Sequence, residues 1–398
     1  MTAMKRRQLL HLGAGLSGAA LLGAHAPGLA QALPLRAAGA TDRILILIEL
    51  KGGNDGLNTV VPYTDPLYAQ LRPTLALAPA DVLRLDGSTG LHPELKPMLA
   101  LWDKDELAIV QSVGYPQPNL SHFRSIEIWD TASNSGEYLA DGWLARGMKA
   151  GLAGTPPFTA EGVRIGSSDF GPLAGARAIA MNNPAAFVEQ ARLASPRSAQ
   201  GNAALQHLLR VEADVSQAAE GLRAQRHAFA TAFPPGAFGN GVQAAAQVVA
   251  SQRGRAGVPV LTLTLGSFDT HQNQLDLHAS LLRQLAEGLV ALRSALTELG
   301  AWDRTLVMTF SEFGRRPRQN QSNGTDHGTA APHFIAGGAV RGGLYGQAAQ
   351  LSRLDAAQNL AFTTDFRQLY AAIARDWWGV NPDSVVRGRF EPVRFLRT

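Results

Sequence analysis

The stretch Arg43-Ile44-Leu45-Ile46-Leu47-Ile48, running through Leu50 into Lys51-Gly52-Gly53-Asn54-Asp55-Gly56, decides the fold. Five consecutive leucine and isoleucine residues leave no polar face, so the segment predicts a strand covered on both sides, as in a parallel sheet flanked by helices. The glycine-rich turn that follows delivers polar side chains to the strand's carboxyl end, where α/β folds gather their sites. Three further segments repeat this rhythm: Leu107 to Val113, Val258 to Leu265 and Thr305 to Phe310, each followed by polar or glycine-rich residues and then a helical pattern. The expected fold class is therefore α/β, with a largely parallel central sheet flanked by helices.

Before the fourth strand, Leu281, Leu285, Leu289, Leu292, Leu296 and Leu299 recur at intervals of three and four, an apolar stripe on one helix, with Gly300 as its expected C-cap. From about 195 to 257 the composition turns to Ala, Gln and Arg at helical spacing, broken by Phe233-Pro234-Pro235-Gly236, which predicts a helical insertion in a single domain spanning 33–398.

The 398 residues are 45% hydrophobic and 17% charged, a globular composition that rules out intrinsic disorder. Lys and Arg total 36 against 32 Asp and Glu, but Lys5, Arg6 and Arg7 lie in the first 32 residues with no acid beside them. The rest is close to neutral, so a nucleic-acid partner, which wants a concentrated basic face, has no support and none is expected. Cysteine is absent, so disulfides, thiolate metal sites, iron–sulfur clusters and cysteine nucleophiles are excluded.

Residues 1–32 combine Arg6-Arg7, a weakly apolar Gly/Ala/Leu stretch and Ala30-Gln31-Ala32, the pattern of a twin-arginine signal peptide. His11, His25 and Pro27 make the stretch too polar and broken to span a membrane. The expectation is export by the twin-arginine machinery to the periplasm or beyond, cleavage after Ala32, and no stable membrane insertion of the mature chain. That route carries folded proteins and suits a metal inserted in the cytoplasm.

Four polar clusters follow the four strands. Asn54-Asp55 closes the first, a turn whose carboxylate the glycines leave uncrowded. After the second, prolines lead to Asn119-Leu120-Ser121-His122-Phe123-Arg124, where Ser121 either caps a helix or, activated by His122 or a metal, acts as a nucleophile. Arg124, one turn on, is a candidate for binding an anionic substrate. After the third, Asp269 and His271 lie two apart on one side of an extended segment, a workable ligand pair, with His278 as a further candidate. After the fourth come Glu312, which Arg315 or Arg316 would neutralise in an ordinary salt bridge, a polar stretch at 316–323 read as a mobile loop, and Asp326-His327 between glycines. Parallel strands bring all four clusters to one edge. Several carboxylates with at least two histidines suit an oxygen-rich centre for one or two divalent ions, Zn, Mn, Mg or Ca, better than a structural zinc. No G-x-S-x-G elbow surrounds any serine.

Five motifs together, LKGGNDGLNTVVP (Leu50–Pro62), PNLSHFRSIEIW (Pro118–Trp129), SFDTH (Ser267–His271), TFSEFGRRP (Thr309–Pro317) and TDHGTAAPHFIAGGAVRGGLYG (Thr325–Gly346), resemble the DUF1501 family of exported bacterial proteins. That family is placed in the alkaline phosphatase-like superfamily with sulfatases and cofactor-independent phosphoglycerate mutases. The resemblance implies an alkaline phosphatase-like core, Ser121 as alkoxide nucleophile, and Asp55, Asp269, His271, Glu312, Asp326 and His327 around a metal site. It departs from the superfamily pattern in two places: Asp269 and His271 are closer than the usual Asp-x-x-x-His, and Phe313 stands where Asp-His-Gly has its histidine. The function implied is an exported metal-dependent hydrolase of a phosphate or sulfate ester, its substrate a small molecule or glycan. The alternative is a non-catalytic binding or assembly protein that keeps the fold.

Overall fold

The computed structural model describes residues 42–152, 160–181, 227–252 and 257–397. Within them lie twelve strands: β1 (Ile44–Leu50), β2 (Val60–Val61), β3 (Leu83–Arg84), β4 (Gly90–Leu91), β5 (Leu107–Gly114), β6 (Gly162–Ile165), β7 (Ala178–Met181), β8 (Val260–Leu265), β9 (Thr305–Phe310), β10 (Ala331–Ala336), β11 (Gly343–Tyr345) and β12 (Thr364–Asp365). The four read from the sequence are β1, β5, β8 and β9.

The main sheet has the order β11-β5-β10-β9-β1-β8-β6-β7, with β12 also on β5, while β2, β4 and β3 form a small separate sheet. β1 pairs in parallel with both β8 and β9. β10 is antiparallel to β9 and to β5, so β5 runs the same way as β1, β8 and β9 and ends at the same edge. The sequence reading missed β10 because Pro332 argues against an interior strand. The ladder accommodates it with a register shift between Ala331 and His333, and Phe334 N–H turns to the Thr309 hydroxyl at 2.9 Å.

Every residue of β1 is buried, and alternation divides them between two cores. Ile44, Ile46, Ile48 and Leu50 pack with the helices Gly236–Ser251 and Gln274–Glu298. Leu45 and Leu47 face the helices His122–Thr131 and Phe366–Ala372 on the other side. Glu49, the single charge in the strand, is matched by Arg164 at 2.6 Å and Thr264 Oγ1 at 2.9 Å. The leucine stripe lies where its spacing placed it: Leu281, Leu285, Leu289, Leu292 and Leu296 are buried, each contributing about 1.5–3 kcal/mol by leaving water. The helix ends at Glu298, two residues before Gly300.

The signal-peptide residues, and 195–226 and 253–256 of the expected helical insertion, lie outside the described residues. The described part of that stretch is the helix Gly236–Ser251, whose Val242 and Val249 share a core with Ile46 of β1. Among the described residues, no helix is long and apolar enough to cross a membrane.

Candidate metal centre

The turn after β1 is shaped by contact with the segment after β8. Gly52 has φ +120°, and a Cβ there would come within 2.4 Å of the Asp269 backbone nitrogen. Beyond it, Asp55 is fully buried, and its two oxygens accept from Arg72 at 2.6 and 2.8 Å. Gln274 Nε2 donates to the same carboxylate. Burial alone would raise the Asp55 pKa, but the Arg72 charge and hydrogen bonds outweigh it and hold the carboxyl below its usual value. Asp55, expected as a metal ligand, thus has both oxygens on a guanidinium.

Ser121 occupies the N-cap position of the helix His122–Thr131, with extended φ and ψ. Its hydroxyl makes no capping bond, and the residue is exposed. His122, next along the chain, places Nδ1 2.7 Å from Glu312 Oε1 and Nε2 3.4 Å from Asp269 Oδ2. A carboxylate can only accept, so Nδ1 donates to Glu312 and Nε2 is the ring nitrogen that faces Asp269. The bond to Glu312 is the main cause that raises the His122 pKa. Glu312, 1% exposed, also accepts from Gly52 N–H at 2.9 Å. The sequence offers Glu312 either as a metal ligand or as the partner of Arg315 or Arg316; the partners of its carboxylate in the structure include His122 and Gly52 N–H.

Arg124, the candidate for binding an anionic substrate, is engaged within its own neighbourhood. It donates to the carbonyls of Asn134 and Ser135 at 3.2 and 3.0 Å, pairs with Glu127 at 2.8 Å and lies over the Tyr138 ring. These bonds tie the helix to the loop after it.

Asp269, His271 and His327 converge. Asp269 Oδ1 lies 3.1 Å from His271 Nε2 and 3.2 Å from His327 Nε2, and the two nitrogens are 3.0 Å apart. Arg315, whose side chain is fully buried, donates to Asp269 at 2.6 Å and to the carbonyls of Gly53, Thr325 and Phe268 at 2.7, 2.9 and 3.0 Å. Burial tends to raise the Asp269 pKa, yet Arg315, joined by His327 and His271, brings it down to about 2. His327 Nδ1 is 2.8 Å from the Leu120 carbonyl, which fixes its proton there and leaves Nε2 free to coordinate. Burial is the main cause that lowers the His327 pKa.

His327 returns to the site because 314–316 pairs with 326–329, through Arg316 N–H to Asp326 at 3.0 Å and Gly314 N–H to Thr329 at 2.8 Å. Gly324 makes the approach possible, since a Cβ there would lie 2.2 Å from the His271 carbonyl carbon. Asp326 accepts from Asn320 at 3.1 Å and lies 3.4 Å from His271 Nδ1, so it too faces a histidine. The 316–323 stretch is bonded down rather than loose: Ser322 and Asn323 carbonyls accept from the N–H groups of Asn273 and Gln274. His278 stands apart, buried and bonded to Asn54 at 3.0 Å, with its pKa pushed down to about 4 by burial.

The donor chemistry fits a cation. His122, Asp269 and His327 offer ligand atoms all within 4.8 Å of one another, and His271 stands against two of them. Each of the three imidazoles has an oxygen acceptor at Nδ1, the arrangement that presents Nε2 as a ligand.

The family model described as "Protein of unknown function (DUF1501)" matches residues 114–389. The chain belongs to the DUF1501 family. The matched span holds every expected site residue except Asp55. No curated protein matches the sequence. Among solved structures, the chain is similar to Ps i-CgsB in complex with k-i-k-neocarrahexaose, at 9% identity and TM-score 0.43, covering 87% of this chain and 74% of that one. It is also similar to the lipoteichoic acid synthase LtaP from Listeria monocytogenes, at 10% identity and TM-score 0.39, covering 88% and 75%. A third is a protein in the alkaline phosphatase superfamily from Vibrio parahaemolyticus, at 10% identity and TM-score 0.39, covering 87% and 69%.

In this DUF1501 site the sequence reading underused two residues and missed a third. His122 was weighed only as an activator of Ser121, although its place beside that serine was the available signal. Arg315, offered together with Arg316 as a partner for Glu312, pairs with Asp269. Arg72, in the helix-capping position after Leu71, gave no sign of its bond to Asp55.

Proposed function

We propose that the protein is an exported, metal-dependent hydrolase of phosphate or sulfate esters with Ser121 as its nucleophile. One observation carries this reading: the residues on both sides of Ser121 are tied to the ligand cluster, Leu120 through its carbonyl to His327 and His122 through its ring to Glu312 and Asp269. The hydroxyl between them makes no capping bond. Asp269, His271, His327 and His122 hold the ion. A divalent cation bound there lowers the proton affinity of a nearby hydroxyl and offsets negative charge on the ester.

The chain's own groups do the rest. Ser121 Oγ attacks phosphorus or sulfur, its bond forming as the bond to the ester oxygen breaks, and the hydroxyl proton leaves with the alcohol. Water then cleaves the serine ester and frees the inorganic anion. The first backbone N–H groups of the ten-residue helix starting at His122 favour the substrate's anionic oxygens.

Turnover of a panel of phosphate mono- and diesters and sulfate esters by metal-loaded protein tests the reading. Ser121→Ala should abolish it with metal content intact; full activity in that variant would exclude Ser121. The leader supports export: replacing Arg6 and Arg7 by lysine should strand folded protein in the cytoplasm, and normal export of that variant would refute the twin-arginine route.

A further inference from the structure

Ligand supply sets how many cations the site can take. Of the four carboxylates at the strand ends, Asp55 has both oxygens on Arg72, and Glu312 faces His122 and Gly52 N–H. Asp326 is 57% exposed and bonded to Asn320. Only Asp269 turns its oxygens toward the Nε2 atoms of histidines whose Nδ1 atoms face other acceptors. Its Oδ1 and the Nε2 atoms of His271 and His327 form a triangle with sides of 3.0–3.2 Å. One face of a tetrahedron around an ion with bonds of about 2.0–2.1 Å to nitrogen has edges of ~3.3 Å. The His122 nitrogen, 3.4 Å from the other Asp269 oxygen, is placed to complete the set.

Among the described residues, the strand-end carboxylates left for a second ion are Asp55, held by Arg72, Glu312, held by His122 and Gly52 N–H, and Asp326, exposed and bonded to Asn320. The Arg315 guanidinium, with a fully buried side chain and 2.6 Å from Asp269 Oδ1, adds another fixed positive charge beside the one carboxylate that the histidines face.

Resting on the metal reading above, we infer that the centre is mononuclear and built for a nitrogen-preferring transition metal of the zinc type, with the Arg72 and Arg315 guanidinium groups standing in for a second cation. Three imidazoles and one carboxylate suit Zn²⁺, whereas Mg²⁺ and Ca²⁺ seek six or more oxygens.

The test is native mass spectrometry of the chelator-stripped full mature chain, titrated with Zn²⁺, Mg²⁺ or Ca²⁺, alongside elemental analysis. One zinc per chain is expected, with Mg²⁺ and Ca²⁺ at least 100-fold weaker. His271→Ala should weaken zinc binding, and Asp55→Asn should retain one equivalent. Where Asp55→Asn unfolds, the wild-type stoichiometry decides. Two equivalents of any of these ions, or loss of the ion from folded Asp55→Asn, would overturn the mononuclear inference while leaving a metal-dependent hydrolase standing. Tighter binding of Ca²⁺ or Mg²⁺ than of Zn²⁺ would overturn the zinc-type assignment. Binding of none of the three would overturn both this inference and the metal reading beneath it.

Discussion

Glu312 and His122, 190 positions apart in sequence, meet over 2.7 Å, and the carboxylate thereby decides which histidine nitrogen faces Asp269. Partners that fix a ligand's tautomer typically alter metal affinity by 10–100-fold. Glu312→Gln, which keeps the shape and removes the charge, should weaken zinc by about tenfold, read by competition with a chromophoric chelator. An unchanged affinity would mean that His122 does not bind the ion.

Ser121 sits at an N-cap without bonding as one. A working serine cap is worth about 0.5–2 kcal/mol, so Ser121→Ala should cost less than about 0.5 kcal/mol in chemical denaturation. A larger loss would show that the hydroxyl supports the helix in solution and would weaken its assignment as nucleophile.

Arg72 and Asp55 are both fully buried, and removing one partner leaves the other's charge without compensation. Arg72→Met should destabilise the fold by about 3–5 kcal/mol in urea or guanidinium. A change below about 1 kcal/mol would show that water reaches Asp55.

Arg124 was expected to bind substrate, but its bonds run to the loop that follows the helix. Arg124→Ala should lower stability by about 1–3 kcal/mol while metal content stays at the wild-type level. Loss of the ion without loss of stability would return Arg124 to the site.

His333 is 1% exposed, its two ring nitrogens lack hydrogen-bond partners, and burial pushes its pKa down to about 3 from 6.5. Between those values the unfolded chain binds a proton that the folded chain refuses, so stability falls as pH drops through this window. His333→Leu removes that uptake. Its stability should decline less steeply than wild type between pH 6 and pH 4, by up to about 1.4 kcal/mol per pH unit. At pH 7 the change should be small or stabilising, because two unpaired polar atoms leave the core. Parallel pH dependence of the two proteins would show that water or a shifted neighbour satisfies the ring.

Local pattern determined much of this protein. A short, isoleucine-rich apolar run without alternation that ends in paired glycines reads as a strand covered on both sides, so β1 was legible, as were β5, β8, β9 and the leucine-striped helix. Their shared direction then brought Ser121, Asp269, Glu312 and His327 to one edge. Hydrogen-bond partnership was not legible, because a carboxylate's role depends on which cation comes within 3 Å of it. Asp55 reads in sequence like Asp269, yet the first meets Arg72 from 17 residues away and the second meets Arg315 together with three histidines, one from its own segment and two from distant ones. β10 escaped for a related reason: Pro332 argues against a strand until the sheet supplies a register shift that accommodates it. Sequence carries the periodicities of burial, which are local; charge pairing and tautomer are settled only when distant segments close on one another in a medium with little water to screen them.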